Sequence, residues 1–272
     1  MSKLKMWSAH STWKEAEDAW DIKSECASVQ KPIKKLTNLP DMPGITPETA
    51  KNLKWKSLRW MITKDEGFKI LRNILKHPLK YGKAFIRSAF QKKPFTRNGD
   101  FFLYGVKDLG EFESLIEDKD SLLVVGFSYC HKPFECPSSR FTDACIHDLS
   151  NPVCQQCFIG KCMHALPDTN VIPLLIPTIH YIGNKIFKVV HANPGKRVIF
   201  MITACEMTLE MFGDWGNMVG IRGIGVRLDG RICNTMKAFE LSEVGIKPGL
   251  TVVLEPTQKH ILSFIRKRRE CS

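Results

Sequence analysis

No apolar run in this 272-residue chain approaches the roughly 18 residues that a membrane-spanning helix needs. The longest, Val171–Ile179 and Val198–Ala204, have the length of strands, and the first contains Pro173 and Pro177. The opening Met1-Ser-Lys-Leu-Lys5 is polar with no apolar stretch behind it, so no secretory leader is expected. The P-loop, HExxH and GxSxG patterns are missing, which argues against the nucleotide, zincin and hydrolase chemistries they carry. Gly220-x2-Gly223-x-Gly225 has neither the residue order nor the strand–turn–helix setting of a dinucleotide loop. The Cys-x3-Cys-x2-Cys run of radical S-adenosylmethionine enzymes is absent too, and there is no internal repeat or low-complexity tract. The expected compartment is the cytoplasm.

What the chain does have is thiols. Six of its ten cysteines fall between Cys130 and Cys162, in the order Cys130-x5-Cys136-x8-Cys145-x8-Cys154-x2-Cys157-x4-Cys162, and Cys205 and Cys233 follow. In a reducing compartment such a cluster favours metal binding over a disulfide framework. Cys26 lies in a helical pattern and reads as a small hydrophobe, and Cys271 sits at the terminus, so neither is expected to be a ligand. His131, His147 and His164 each adjoin the cluster and stand as reserve ligands.

The net charge of +12 is equally localised. Residues 51–97 carry ten lysines and four arginines against only Asp65 and Glu66, which accounts for the whole excess. The division expected is an N-terminal helical arm and linker (1–45), a basic amphipathic helical segment (46–97) and a cysteine-rich α/β domain (98–272). Ser11 to about Gln30 reads as a helix carrying Trp13, Ala16, Ala19, Trp20 and Cys26. Leu39–Ile45 is a linker by composition, and Thr46-Pro47-Glu48 is a helix start. A basic helix through Trp55, Leu58 and Ile62 follows, then one over Asp65–Lys76 and, after Pro78, a third to about Gln91. The cations are interleaved with Trp55, Trp60, Phe68, Tyr81, Phe85, Phe90 and Phe95. Those aromatics either pack onto the neighbouring domain, lie on an anionic membrane surface, or contact nucleic acid; an acidic redox partner protein is also compatible.

From Phe101 onward short apolar runs alternate with helical patterns, which predicts a mostly parallel sheet flanked by helices on both faces. Strands are expected at Phe101–Val106, Leu122–Phe127, Val171–Ile176, Arg197–Ala204, Val219–Leu228 and Leu250–Leu254, with Asp229-Gly230 as a tight turn returning through Arg231–Thr235. Helices are expected at Leu109–Glu117, Ile179–His191, Glu206–Phe212 and Gln258–Arg269. Cys130 and Cys205 each follow a core strand directly, and ligand sites of open α/β sheets lie beyond such strand ends. The long loop 131–170 would fold over that edge, and a bound metal is the simplest way to order it.

Thiolates suit zinc or iron–sulfur clusters. Zinc ribbons usually show two close pairs, and here Cys154-x2-Cys157 is the single pair, so the spread thiols fit iron–sulfur ligation better. A cluster, 4Fe–4S and one or two in number, would be held by Cys154, Cys157 and Cys162 with Cys130, Cys136, Cys205 or Cys233. The role of Cys145 is left open. Cys205 opens a helix, where a thiol can also be a nucleophile; Glu206, Asp229, Asn234 and Thr235 are the further residues that could contact a substrate. The other expectation is a zinc-stabilised binding module whose basic helices grip nucleic acid or a membrane.

Cys130-x5-Cys136-Pro137, Cys154-x2-Cys157-x4-Cys162, Ala204-Cys205-Glu206 and Asp229-Gly230-x2-Cys233-Asn234-Thr235 occur in that order. Over about residues 120–245 the chain thereby resembles the prokaryotic family called domain of unknown function one hundred and sixteen. The resemblance matches Cys130, Cys136, Cys154, Cys157, Cys162, Cys205 and Cys233 to the family's recurring cysteines. It implies a cysteine-rich, metal-binding α/β domain and no particular reaction. Cys145 lies outside that pattern, and the Cys157–Cys162 gap is longer than the family's.

Overall fold

Strand β3 (Ser121–Ser128) shows how the sheet is built. Its side chains alternate across the pleat: Leu122 and Val124 join one apolar layer, Leu123, Val125 and Phe127 the other. A strand covered on both faces needs an uninterrupted apolar run, and that is what this segment supplies. The computed structural model describes residues 5–36, 39, 44–65, 67, 72, 75, 76, 78, 79, 81–83, 86 and 95–272, with the backbone alone described at 212 and 214–219.

Six strands form the main sheet in the order β1-β2-β6-β5-β3-β4. They are β1 (Thr96–Asn98), β2 (Phe101–Tyr104), β3, β4 (Val171–Ile176), β5 (Arg197–Ala204) and β6 (Arg222–Arg227). Strands β4, β3, β5 and β6 are parallel, while β2 and β1 are antiparallel additions. The fold is α/β with a mostly parallel sheet flanked by helices. The chain leaves β3 toward β4 on one side and leaves β5 toward β6 on the other. The carboxyl ends of the adjacent strands β3 and β5 therefore flank the crevice where connections part, the usual ligand position in such sheets.

Helices α1 (Trp13–Gln30), α4 (Leu109–Glu117), α5 (Pro152–Gln156), α6 (Phe158–Ala165) and α10 (Glu255–Glu270) lie on one face. Helices α3 (Leu53–Thr63), α7 (Ile179–Ala192), α8 (Glu206–Val219) and α9 (Met236–Ser242) contribute to the other, with α2 (Pro47–Ala50) just before α3. Helix α1 begins with a capping box in which Thr12 and Glu15 satisfy each other's backbone N–H groups. It buries Ala16, Trp20 and Ala27 and leaves Cys26 exposed, so Cys26 is not the packed hydrophobe its helical pattern suggested. The one-residue phase difference selects Ala27, whose methyl permits closer packing.

Three local expectations change. Asp229–Gly230 is not a hairpin turn. It forms β7, paired antiparallel with β8 (Thr251–Val252) in a separate two-stranded sheet, and Gly230 has φ 93°. The last strand thus lies outside the main sheet. The strand expected from Val219 starts at Arg222, because α8 runs on to Val219. The helix starting at Thr46 stops after one turn, and α3 restarts beyond Asn52, which takes the left-handed conformation at φ 58°. The helices expected over 65–76 and on to Gln91, and most of the linker 39–45, lie outside the described residues.

Candidate metal centre and sheet-edge thiols

Seven of the eight central cysteines fall into two groups. The first stands on the sheet edge. Cys130 leaves the end of β3, Cys205 the end of β5, and Cys233 follows β7; all three are buried. Cys205 and Cys233 act on each other's titration in opposite directions. Lys247 Nζ donates to Cys233 Sγ at 3.2 Å, and Cys205 Sγ lies 3.2 Å from Thr208 Oγ1. The neighbouring Cys205 thiol and the Lys247 ammonium outweigh burial and hold the Cys233 thiol down at about 5. Cys233, with burial, holds Cys205 well above the ordinary thiol value. Burial raises Cys130, against the nearby Lys247 charge.

Glu243 and Tyr129 complete this edge. Glu243 accepts from Ile179 N–H at 2.9 Å, at the start of α7, yet burial pushes its carboxyl up to about 8. The Tyr129 hydroxyl donates to Ser242 O at 2.6 Å. A cavity of about 30 Å³ lies here, bordered by Cys130, Cys205, Thr178, Thr208, Ser242 and Glu243. A wider cleft of about 560 Å³ opens on its outer side, between Trp60, Thr63 and Lys64 of the basic segment and His180, Tyr181 and Asn184 of α7. Thr178 and Glu243 border both spaces.

The second group sits in the loop between β3 and α6. Cys136, Cys145, Cys154 and Cys157 lie within range of one another's charge. Burial pushes Cys154 up to about 11; the Asp148 backbone N–H opposes this, and the charges of Cys145 and Cys136 reinforce it. Burial pushes Cys157 up to about 12, opposed by the N–H groups of Gly160 and Ile159 at the start of α6 and reinforced by Cys145 and Cys136. Backbone N–H groups aimed at sulfur stabilise thiolates, which is the form a metal binds. Gly160 makes this approach feasible, since a Cβ there would meet Cys154 O at 2.5 Å.

The loop is ordered by two cations. The Lys132 side chain is buried, and its Nζ donates to Ser139 O (3.0 Å), Thr142 O (3.1 Å), Thr142 Oγ1 (3.0 Å) and Ala144 O (2.8 Å). Burial lowers its pKa, while Cys136, Cys145 and Cys157 raise it. Ser139 and His147 take left-handed backbone conformations at φ 60° and 33°, each costing about 1 kcal/mol or more, and the Lys132 bond to Ser139 helps hold the first. Arg140 spans both groups, donating to Lys132 O, Cys130 O, Lys247 O and Gly249 O. The protein's own cations therefore hold this loop in place.

Cys162 is fully buried in the apolar layer; burial raises it, and of the other thiols Cys157 is the one whose charge acts on it. Glu206 does not serve Cys205: its carboxylate pairs with Arg97 at 2.6 Å. Asp229 pairs with Arg227 at 2.9 Å. Thr235 caps α9 and Asn234 O accepts from Thr46 N–H, so both act in the scaffold. His164 accepts from Met6 N–H through Nδ1 and donates from Nε2 to His147 O, His147 meets Cys145 O, and buried His131 is lowered to about 4 by desolvation. Cys271 follows the last turn of α10, its N–H bonded to Lys267 O.

Sequence reading passed over Glu243, Lys247, Lys132 and Arg140. Lys132 sits two residues after Cys130, a spacing that offered a signal; Lys247 and Glu243 reach the site only through the fold. In the basic segment, Tyr81 is buried against Phe187, Trp60 packs on Phe239 and Phe95 on Phe102, while Trp55, Ile62 and Leu79 are exposed.

Among the described residues no three His, Cys, Asp or Glu side chains are arranged to hold a metal ion as they stand. The loop thiols fit such a group by number and chemistry, and would have to close on it. No described helix is long and apolar enough to cross a membrane. No family profile, curated protein or solved structure matches the chain.

Proposed function

We propose that the chain is an iron–sulfur protein whose cluster is held by Cys136, Cys145, Cys154 and Cys157. One observation carries this reading: four thiols of a single loop share one electrostatic environment, with backbone N–H groups directed at two of them and a buried ammonium beside them. Burying several thiolates without compensation would be prohibitive, and Lys132 with these N–H groups supplies it. The single close Cys-x2-Cys pair favours a cluster over a zinc ribbon. Such a cluster, when bound, supplies one-electron transfer. The protein's part is to exclude water through Trp20 and α5–α6, and to stabilise the reduced, more negative state with Lys132. The resemblance to domain of unknown function one hundred and sixteen implies metal binding but takes in only Cys136, Cys154 and Cys157 of these four, Cys145 lying outside its pattern.

Anaerobic purification with iron, sulfide and zinc analysis tests it. Brown protein with iron and acid-labile sulfide in matching amounts is expected; colourless protein with stoichiometric zinc would sink the iron–sulfur assignment and leave the zinc module.

For the basic segment, the proposed partner is an anionic membrane surface. Exposed Ile62 and Leu79 can enter the acyl boundary, with exposed Trp55 suited to the headgroup level. Flotation with anionic vesicles should fall steeply with added salt; equal retention on single-stranded nucleic acid would overturn the choice.

A further inference from the structure

We propose that the cleft between α3 and α7 binds a planar bicyclic heterocycle carrying a cyclic amide, whose ring N–H and carbonyl pair with Glu243 and Trp60. This does not depend on what the loop thiols hold. The cleft lies where such folds place ligands. Thr178, two residues beyond the end of β4, and Glu243 form its inner wall, at the carboxyl edge of the parallel strands. Its volume of about 560 Å³ is that of a small-molecule site.

Two polar groups on its walls lack partners among the described residues, and they are complementary in kind. The Trp60 indole N–H is buried without an acceptor, although a buried indole ordinarily finds one. An orphaned donor of this sort costs about 1–3 kcal/mol. The Trp60 side chain as a whole is only partly buried, so a turn of its ring presents that N–H to the cleft. Glu243 comes from the end of α9. Its Oε2 accepts from Ile179 N–H at 2.9 Å, while Oε1 has no donor among the described residues. One wall thus offers a donor and the other an acceptor. The ligand that answers both presents an acceptor and an N–H donor, which is the polar edge of a cyclic amide. Trp60, His180 and Tyr181 line the cleft with three rings, which favours a flat conjugated body. The two walls are held together, since His180 Nε2 donates to Met61 O at 3.3 Å and its ring lies 6.5 Å from that of Trp60. Lys64 and Asp65 carry opposite charges, so the lining favours a neutral ligand.

The test is isothermal titration of the full chain, purified anaerobically, with quinazoline-2,4-dione and with its 1,3-dimethyl derivative, which keeps both carbonyls and loses both N–H groups. Binding is measured at about pH 9, above the value of about 8 to which burial pushes the Glu243 carboxyl, so that Oε1 is an acceptor. The dione is expected to bind in the micromolar range, and the dimethyl derivative at least tenfold more weakly. Glu243→Gln keeps an oxygen for Ile179 N–H and turns an NH2 group toward the cleft. It should weaken the dione at least tenfold and leave the dimethyl derivative near its wild-type affinity, which separates a polar discrimination from a steric one. Trp60→Phe keeps a ring and removes the N–H, and should weaken both ligands by a similar factor. The proposal is overturned if the dione fails to bind wild-type protein at millimolar concentration, or if wild-type protein binds the two compounds equally. Because the wild-type pair decides on its own, a variant that fails to fold does not protect the idea.

Discussion

The loop thiols and the sheet-edge thiols are built by different means. Cys136, Cys145, Cys154 and Cys157 belong to one continuous stretch and are brought together by local groups: the Lys132 ammonium, the N–H groups at the start of α6, and two left-handed residues. Cys130, Cys205 and Cys233 are brought together by the parallel pairing of β3 with β5 and by the small β7–β8 sheet. The first group has four thiols and backbone N–H donors, which suits a metal. The second has buried thiols at strand ends, one of them beside the Lys247 ammonium, and a buried acid bordering a small cavity. Cysteine density alone does not separate these roles; the neighbours of each sulfur do.

The largest expected contrast concerns metal content. Cys157→Ser should reduce bound iron tenfold or more, whereas Cys205→Ser should leave iron per chain near the wild-type value. Equal losses in the two variants would merge the groups into one centre. Next comes the loop's own framework. Lys132→Met deletes the bonds to Ser139, Thr142 and Ala144 and should destabilise the protein by about 3 kcal/mol, read from urea unfolding. A change under about 0.5 kcal/mol would mean that the loop is held by other contacts.

A third prediction sharpens the sheet-edge side. Cys233 is faced by Cys205, Cys130, Ser242, Glu243 and Lys247. With its pKa depressed to about 5, it contributes stability that is fully present above the ordinary thiol value of 9.0 and fades as pH falls through 5. Lys247→Met should move the thiolate midpoint, followed by pH-dependent alkylation, upward toward the ordinary value. An unmoved midpoint would remove Lys247 from the account. The smallest effect is expected at Glu243. Its raised pKa contributes stability present below 4.5 and lost as pH rises through about 8. Glu243→Gln should flatten that decline in melting temperature between those pH values; a parallel offset at every pH would show that the carboxyl stays ionised.

Much of the scaffold was legible because local pattern and tertiary need coincide there. Val171–Ile176, Arg197–Ala204 and Leu109–Glu117 occur at the expected residues, since runs buried on both faces must be apolar throughout and Asp108 caps the helix. Asp229-Gly230 misled because a turn dipeptide with a positive-φ glycine can equally enter a short ladder when Thr251–Val252 lies opposite. Cys130 and Cys205 could be placed at strand ends from sequence, but their separation from the loop thiols could not. Cys145, outside the family-like pattern, joins Cys136, Cys154 and Cys157, while Cys162, inside it, is turned into the apolar layer.

The sequence by itself determined the α/β class, the succession of strands and helices, the confinement of positive charge to residues 51–97 and the density of thiols. These follow from hydrophobic periodicity and composition, which are local properties. Only the tertiary structure decided which thiols are neighbours, that Glu206 and Asp229 pair with arginines, and that Lys247 and Glu243 reach the switch point. The acidity of a thiol or carboxyl is set by burial and by charges a few ångströms away, and those neighbours come from segments distant in the chain.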